Sequence, residues 1–245
     1  MHPSIHISDD QENMSRQAAE RIVSALTGKP DLLLCAAGGS TPLRAYQWLA
    51  EHQARKPDDF RTLRVVKLDE WGGLAMDDPG SCENQLRTHL VKPLRLPDDR
   101  YFGFNSNAPE LAAECERIRR KLALEGPIDV CVLGLGVNGH VAMNEPAPAL
   151  QPLAHVARLT ESSLRHPMLA SSQNRPVYGL TLGMGEILAS REILLLVSGA
   201  NKRGPLATLL QPEISTAFPA SFLWLHPNWT LLCDRAAAEG LELKP

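Results

Sequence analysis

Short apolar runs alternate along the chain with longer segments in which apolar residues recur every three or four positions. The strand-like runs occupy residues 31–36, 63–68, 128–133, 177–182, 192–197 and 229–233. The helical segments occupy residues 12–28, 41–55, 82–91, 109–125 and 202–210. Alternation of this kind indicates a parallel sheet. We predict an α/β protein with three layers, α/β/α, in which a Rossmann-like, mostly parallel sheet carries helices on both faces.

Length, charge and cysteine usage narrow the class of protein. The chain has 245 residues and no low-complexity linker, so we expect a single domain over residues 1–245. A formal net charge of −3 without any block of Lys and Arg argues against a nucleic-acid partner. The five cysteines never form Cys-x-x-Cys, which predicts neither a disulfide framework nor a metal site. No signal peptide or membrane-length apolar run is present, so we predict a cytoplasmic protein without a membrane partner.

The loop after the run at 128–133 carries the strongest signal of chemistry. Three glycines between residues 134 and 139 permit backbone angles that side chains forbid. His140 and Glu145 follow at the carboxyl end of a predicted parallel strand, where ligands bind in open α/β sheets. A lone histidine in a turn is more often structural, but the nearby Glu145 favours catalysis. The glycines imitate a dinucleotide fingerprint, yet Pro146 interrupts any long helix and no ribose-binding acid follows, so we predict no nicotinamide cofactor.

A second glycine turn follows the run at 31–36. Gly38, Gly39, Ser40 and Thr41 lead directly into a helical pattern. Backbone N–H groups and the positive end of a helix dipole would converge there, which suits a phosphate or another anion. An ordinary strand-to-helix turn with an N-cap explains the same residues equally well. The Walker lysine is missing, so this turn does not indicate a nucleotide-binding P-loop.

Two adjacent acids, Asp69 and Glu70, end the run at 63–68 at the same predicted edge of the sheet. Neighbours in an extended segment face opposite ways, so we expect only one of them to enter the crevice. A carboxylate there can be held ready for proton transfer by partial burial and by nearby charges. On this dipeptide alone, a helix cap or a solvated acidic pair is the commoner explanation.

Six segments together resemble the glucosamine-6-phosphate deaminase family, in the same order and over nearly the whole chain. They are AAGGSTP (36–42), VKLDEW (66–71), LGLGVNGHVAMNEP (133–146), LTLGMGEIL (180–188), SGANK (198–202) and FLWLHP (222–227). Within the family, Trp71, Asn138, PGSCE (79–83) and PASFLWLH (219–226) look more like the galactosamine-6-phosphate deaminase/isomerase branch. The residues themselves leave the choice between gluco and galacto substrates open.

The resemblance implies that a 2-amino-aldose 6-phosphate is opened, isomerised and released as a ketose 6-phosphate plus ammonia, with no metal or organic cofactor. By motif, His140 would move the proton in ring opening, and Glu145 would orient that imidazole. Asp69 would take the C2 proton and return it at C1. Lys202 matches the phosphate-binding lysine of the family, with Gly38, Gly39, Ser40 and Thr41 as the loop around the same group.

Three departures from the family pattern matter. Deaminases of the family commonly have an aspartate where this chain has Asn138, whose neutral amide cannot stabilise an imidazolium by charge. Glu145 would then do more of that work, and Asn138 stays among the catalytic candidates. The arginine that helps to hold the phosphate has two candidates here, Arg165 and Arg175. The chain also ends soon after Cys233, so we expect a monomer or a small homo-oligomer.

Two other functions remain as alternatives. A 6-phosphogluconolactonase is a hydrolase with a related glycine-histidine loop, which generally lacks the sequence Asn144-Glu145-Pro146 found here. A non-catalytic sugar-phosphate sensor would carry a DNA-binding module ahead of this domain. The first predicted strand begins near residue 31 after a single helix, which would leave no room for that module.

Overall fold

The computed structural model of the protein describes residues 3–241, in which ten strands form two sheets. The strands are β1 (Ser4–Ser8), β2 (Leu33–Ala36), β3 (Arg64–Lys67), β4 (Asp69–Gly72), β5 (Tyr101–Phe102), β6 (Val130–Gly134), β7 (His155–Ala157), β8 (Tyr178–Thr181), β9 (Glu192–Val197) and β10 (Trp229–Asp234). The α-helices are α1 (Gln11–Gly28), α2 (Ser40–Arg55), α3 (Cys82–Leu86), α4 (Leu111–Glu125), α5 (Glu161–Leu164), α6 (Met184–Leu188), α7 (Arg203–Leu209) and α8 (Arg235–Ala238). A π-helical turn, Arg87–Val91, continues α3, and 3-10 turns occupy Pro57–Phe60, Asp98–Arg100, Pro167–Ser171, Ala200–Lys202 and Pro219–Leu225.

The larger sheet has seven strands in the order β1-β10-β9-β6-β2-β3-β5. Every neighbouring pair in it is parallel, so its strands end at one common edge. The chain adds β3 and β5 on one side of β2 and then returns to place β6 on the other side. The loops after β2 and β6 therefore diverge, and the crevice between them is where open α/β sheets bind ligands.

Alternate residues of the central strands enter two different apolar cores. In β2, Leu34 and Ala36 pack with α1 and α2 on one face, where Met14, Ile22 and Leu49 are fully buried. Leu33 and Cys35 face the other core, which includes residues of α4, α6, α7 and α8. The strands are apolar on both sides because helices cover both faces of the sheet. The three-layer α/β/α prediction is confirmed.

The smaller sheet contradicts one part of the sequence prediction. The run at 177–182 forms β8, but it lies outside the parallel sheet, in an antiparallel three-stranded sheet of order β4-β8-β7. Its partner β4 begins directly beyond β3, where the chain continues past the carboxyl edge of the main sheet. A short apolar run is compatible with either kind of pairing, so the sequence pattern could not distinguish them.

Some elements were not predicted at all. Strand β1 precedes α1 and pairs with β10, so the expectation that the first strand begins near residue 31 is wrong. Its segment, Ser4–Ser8, alternates polar and apolar residues at an edge of the sheet. The five cysteines, all buried, are free thiols, as predicted. Within residues 3–241, no helix combines the length and the apolar character that crossing a membrane requires.

Candidate active site

A cavity of about 570 Å³ lies at the carboxyl edge of the parallel sheet. Its walls come from the loops after β2, β3, β6 and β9, together with the segment from α5 to the 3-10 turn Pro167–Ser171. Of the nine residues to which the sequence assigned a catalytic or phosphate-binding role, eight line it: Gly38, Gly39, Ser40, Thr41, Asp69, His140, Glu145 and Lys202. The ninth, Asn138, contacts Glu145 from outside the lining. Segments that are far apart in sequence therefore meet around one small volume.

His140 and Glu145 form a hydrogen-bonded acid–imidazole pair. Glu145 Oε2 lies 3.3 Å from His140 Nδ1, and both side chains line the cavity. An Nδ1 that donates to a carboxylate leaves Nε2 available as the proton acceptor. Burial alone would raise the pKa of Glu145, but hydrogen bonds from His140 and its other donors hold that pKa at about 2. Glu145 is therefore an anion throughout the neutral range and can stabilise a protonated His140.

Three further side chains donate to the Glu145 carboxylate. Asn138 Nδ2 lies 2.8 Å from Oε2, and Thr160 Oγ1 lies 3.2 Å from the same oxygen. Ser163 Oγ donates to Oε1. The contacts of Thr160 and Ser163 were not predicted, because both residues lie in a segment without helical or strand periodicity.

Glycines bring the main chain of the loop close to the ring of His140. A Cβ atom added at Gly136 would lie 2.5 Å from imidazole atoms of His140, so only glycine leaves room for the ring there. Gly139 has φ +85°, a left-handed conformation, and a Cβ atom added there would lie 2.2 Å from the ring of Phe218. Asn144 faces away from the cavity, because its amide donates to the carbonyl oxygens of Val141 and Leu182. The loop is thus shaped to present the imidazole.

Asp69 is a buried carboxyl that also lines the cavity. Cys82 Sγ lies 3.8 Å from its Oδ1. Burial and the negative charge of Glu70 raise the pKa of Asp69 to about 7, against the opposing influence of His140 and Lys67. A carboxyl with a pKa near the working pH can accept a proton and give it back, which is what a general base and acid must do.

Glu70, the neighbour of Asp69, does not line the cavity. Its carboxylate accepts hydrogen bonds from the backbone N–H groups of Trp71, Cys82 and Glu83, and from Lys67 Nζ at 2.7 Å. Lys67 is fully buried and also lies 2.7 Å from Glu83 Oε2. Only one acid of the pair enters the crevice, as the strand geometry predicted. Glu70 belongs instead to a buried ion network with Lys67 and Glu83.

The turn after β2 leads directly into α2. The N-cap is Gly39, with φ +100° and no side-chain cap, so neither Ser40 nor Thr41 serves as the N-cap residue. Gly39 N–H is already engaged, because it donates to Gln85 Oε1 at 2.6 Å. Ser40 and Thr41 line the cavity at the first turn of the 16-residue helix α2, where the positive end of the helix dipole lies.

Cationic side chains also line the cavity. Lys202 Nζ donates to the Leu135 carbonyl oxygen at 2.5 Å, and burial lowers the pKa of this lysine. Arg165 lines the cavity, whereas Arg175, the other candidate for an anion-binding arginine, is not among the lining residues. His166 also lines it, and burial together with the charges of His140 and Lys202 lowers its pKa to about 4. His166 is therefore neutral at pH 7, and Lys202 and Arg165 supply the positive charge.

In the part of the chain that the structure describes, no group of three or more His, Cys, Asp or Glu side chains could hold a metal ion.

The fold and the cavity define an α/β enzyme with a Rossmann-like sheet. Residues 9–231 match the family described as glucosamine-6-phosphate isomerases/6-phosphogluconolactonase. The match covers most of the chain, and the chain belongs to this family.

Three similar proteins illustrate the range of the family. A protein of Escherichia coli (strain K12) named "Putative deaminase AgaI" is 42% identical over 221 residues, which are 90% of this chain and 88% of that protein. The solved structure of a monomeric glucosamine-6-phosphate deaminase has a TM-score of 0.90 at 34% identity, and the match covers 96% of this chain and 98% of that one. A 6-phosphogluconolactonase from Trypanosoma brucei has a TM-score of 0.77 at 26% identity, with 98% and 99% covered.

Proposed function

We propose that the protein is an amino-sugar-phosphate deaminase/isomerase. It converts galactosamine 6-phosphate or glucosamine 6-phosphate to tagatose 6-phosphate or fructose 6-phosphate, respectively, and ammonia. The single observation that carries the proposal is that Asp69 and the His140–Glu145 pair line the same cavity as Ser40 and Lys202. A base, a proton shuttle and an anion site are the three functions that this reaction needs from a protein.

Ring opening is assigned to His140. Its Nε2 accepts the proton of the C1 hydroxyl group and returns a proton to the ring oxygen as the C1–O5 bond breaks, which leaves the open-chain aldehyde. Glu145, an anion held 3.3 Å from Nδ1, stabilises the imidazolium that exists between the two transfers. Asn138 contributes through Glu145, to which it donates a hydrogen bond.

Isomerisation is assigned to Asp69. The carboxylate removes the proton from C2 while a solvent proton reaches the C1 oxygen, which gives the enolamine. Asp69 then returns its proton to C1 as the amino nitrogen releases a proton to solvent. The product is a 2-imine, and addition of water to C2 releases ammonia and leaves the 2-ketose. Burial and the negative charge of Glu70 raise the pKa of Asp69 to about 7, so the residue can both take and return the proton.

The phosphate group is assigned to the wall formed by α2 and Lys202. Ser40 and Thr41 offer hydroxyl donors at a helix N-terminus, and Lys202 offers a charge. Arg165 is the arginine that we propose for the same group, because it lines the cavity. Binding of the phosphate at this wall would hold the sugar so that C1 and C2 lie within reach of His140 and Asp69.

The test is ammonia release, assayed in parallel on glucosamine 6-phosphate and galactosamine 6-phosphate, with 6-phosphogluconolactone hydrolysis as a third assay. We expect ammonia from at least one amino sugar phosphate and the matching ketose phosphate in equal amount. Hydrolysis of the lactone without ammonia release would replace the proposal by the lactonase function. Binding of sugar phosphates without either reaction would instead indicate a sensor.

Three further properties stay predictions. We propose that the protein works in the cytoplasm, without a cofactor, as a monomer or a small homo-oligomer. A monomeric deaminase with 34% identity supports the first of these assemblies. Sedimentation or light scattering of the purified protein would measure the assembly directly.

A further inference from the structure

The first turn of α5 lies against the acid–imidazole pair. Ser163 Oγ donates to Glu145 Oε1 and lies 3.4 Å from His140 Nδ1. Thr160, the N-cap of the same helix, contacts Glu145 Oε2 at 3.2 Å. A four-residue helix on the wall of the cavity thus supplies hydroxyl donors to both oxygens of the carboxylate.

The two oxygens of Glu145 are not equivalent. Oε2 faces His140 Nδ1 at 3.3 Å and also accepts from Asn138 and Thr160. Ser163 is the only donor to Oε1 in the part of the chain that the structure describes. Because Ser163 fixes one oxygen and Asn138 the other, the carboxylate plane cannot rotate about its bond without losing a hydrogen bond. Ser163 and Glu145 are both almost completely buried, at 3% and 8% exposure, so their hydrogen bond lies in an environment of low dielectric constant, where it is stronger than in water.

This hydroxyl group is not required for the helix itself. The cap of α5 is made by Thr160 Oγ1, which accepts from the backbone N–H of Ser163. A Ser163→Ala change keeps that N–H and removes only the side-chain contacts of Ser163 Oγ, which are to Glu145 Oε1, to His140 Nδ1 and to Thr160 Oγ1. Alanine also has the highest intrinsic helix propensity, so the local fold loses nothing by the replacement.

We propose that Ser163 is a positioning residue of the active site, which holds the Glu145 carboxylate in the orientation that aligns His140 for proton transfer. The inference rests on the proposed function, in which His140 opens the sugar ring. In a family pattern with aspartate at position 138, a second carboxylate would share this work. Here position 138 is an amide, so the alignment of His140 depends on a single carboxylate and on the hydroxyl group that orients it.

The test compares three variants with the wild-type protein. Ser163→Ala should lower kcat for ammonia release about tenfold with KM changed less than about threefold, because the hydrogen bond that is lost is made to the charged Glu145 carboxylate. Ser163→Thr, which keeps a hydroxyl group, should retain more than half of kcat. Ser171→Ala is the matched control. It removes an exposed hydroxyl group from the 3-10 turn that follows α5, where Ser171 Oγ donates to the Met168 carbonyl oxygen.

Equal kcat values for Ser163→Ala and Ser171→Ala would overturn the inference, and so would a threonine variant as impaired as the alanine variant. Crystal structures of the same proteins need no substrate. In Ser163→Ala the Glu145 carboxylate should turn, so that the 3.3 Å contact between Oε2 and His140 Nδ1 is lost. An unchanged contact would contradict the positioning role, whatever the activity of the wild-type protein. A wild-type protein that releases no ammonia would refute the proposed function instead.

Discussion

Two carboxyl groups on the same cavity, Asp69 and Glu145, have opposite properties. The pKa of Asp69 is raised to about 7, whereas the pKa of Glu145 is lowered to about 2. Burial acts in the same direction on both, because it always disfavours the charged form of an acid. The difference comes from their partners. Asp69 has a thiol at 3.8 Å and a neighbouring anion, Glu70, while Glu145 accepts from an imidazole, an amide and two hydroxyl groups.

The comparison separates a proton carrier from a fixed charge. A carboxyl whose pKa lies near neutrality exchanges protons readily, and one whose pKa lies far below it serves as a permanent anion. Asp69 lies at the start of β4, where its side chain contacts the Cys82 thiol. Glu145 lies in a glycine loop beside the N-terminus of α5, and both of these elements supply hydrogen-bond donors. Variants at each acid and its partners test this division of roles.

The largest effect is expected for Asp69→Asn. Without the base, kcat for ammonia release should fall by about 10³-fold, within the range known for positioned general bases. KM should change little, because the phosphate wall is intact. Asp99→Asn, at an exposed position in a 3-10 turn, is the matched control and should behave as the wild type. Near-normal turnover in Asp69→Asn would refute the base assignment.

Glu145→Gln should be the next largest. The amide keeps the shape of the side chain but cannot stabilise an imidazolium, so kcat should fall by about 10²-fold. Asn138→Ala removes one of several donors to the same carboxylate, and we expect a smaller loss, of about tenfold or less. Steady-state kinetics on both variants checks the order. A larger loss in Asn138→Ala than in Glu145→Gln would mean that the amide has a role of its own.

Lys202→Ala should act on binding and spare the chemical step. Loss of a charged contact to phosphate should raise KM by about tenfold or more, with kcat within a few-fold of the wild type. Lys56→Ala, an exposed lysine at the end of α2, is the control. If KM of the Lys202 variant stays at the wild-type value, the phosphate lies elsewhere.

The smallest expected effect is a shift of the pH profile in Glu70→Gln. The negative charge of Glu70 raises the pKa of Asp69, so its removal should move the acid limb of kcat/KM to lower pH, by about one unit. Lys67 keeps Glu83 as a partner in this variant. Glu83→Gln is the matched control, since it perturbs the same buried network without touching Asp69. Identical acid limbs in both variants would show that Glu70 does not set the pKa of Asp69.

Much of this site could be predicted from the sequence because its signals are local. A glycine-rich loop after an apolar run predicts a strand end at the sheet edge, and His140 and Glu145 lie within that one loop. Alternation of side chains along a strand predicted that only one of Asp69 and Glu70 enters the crevice, and Asp69 is the one that lines the cavity. The two apolar cores follow from strands that are apolar on both faces.

The remaining features depend on contacts that the local pattern does not encode. Gln85 reaches Gly39 across 46 positions, and Ser163 reaches Glu145 across 18. Neither polar residue differs in type from a surface side chain. The antiparallel position of β8 depends on β4, a strand that begins only because the chain passes the end of the main sheet. Tertiary packing decides each of these features. A single sequence therefore predicts the loops of the site but not the hydrogen bonds from Gln85 and Ser163 that hold them.

The pH dependence of kcat/KM for ammonia release by the wild-type protein tests the central claim most directly. Asp69 must be deprotonated to act as the base, and its pKa is about 7, so activity should fall as pH drops through that value, tenfold for each unit below it. The limb should be absent from the residual activity of Asp69→Asn. A wild-type rate that remains at its maximum down to pH 5 would contradict the account.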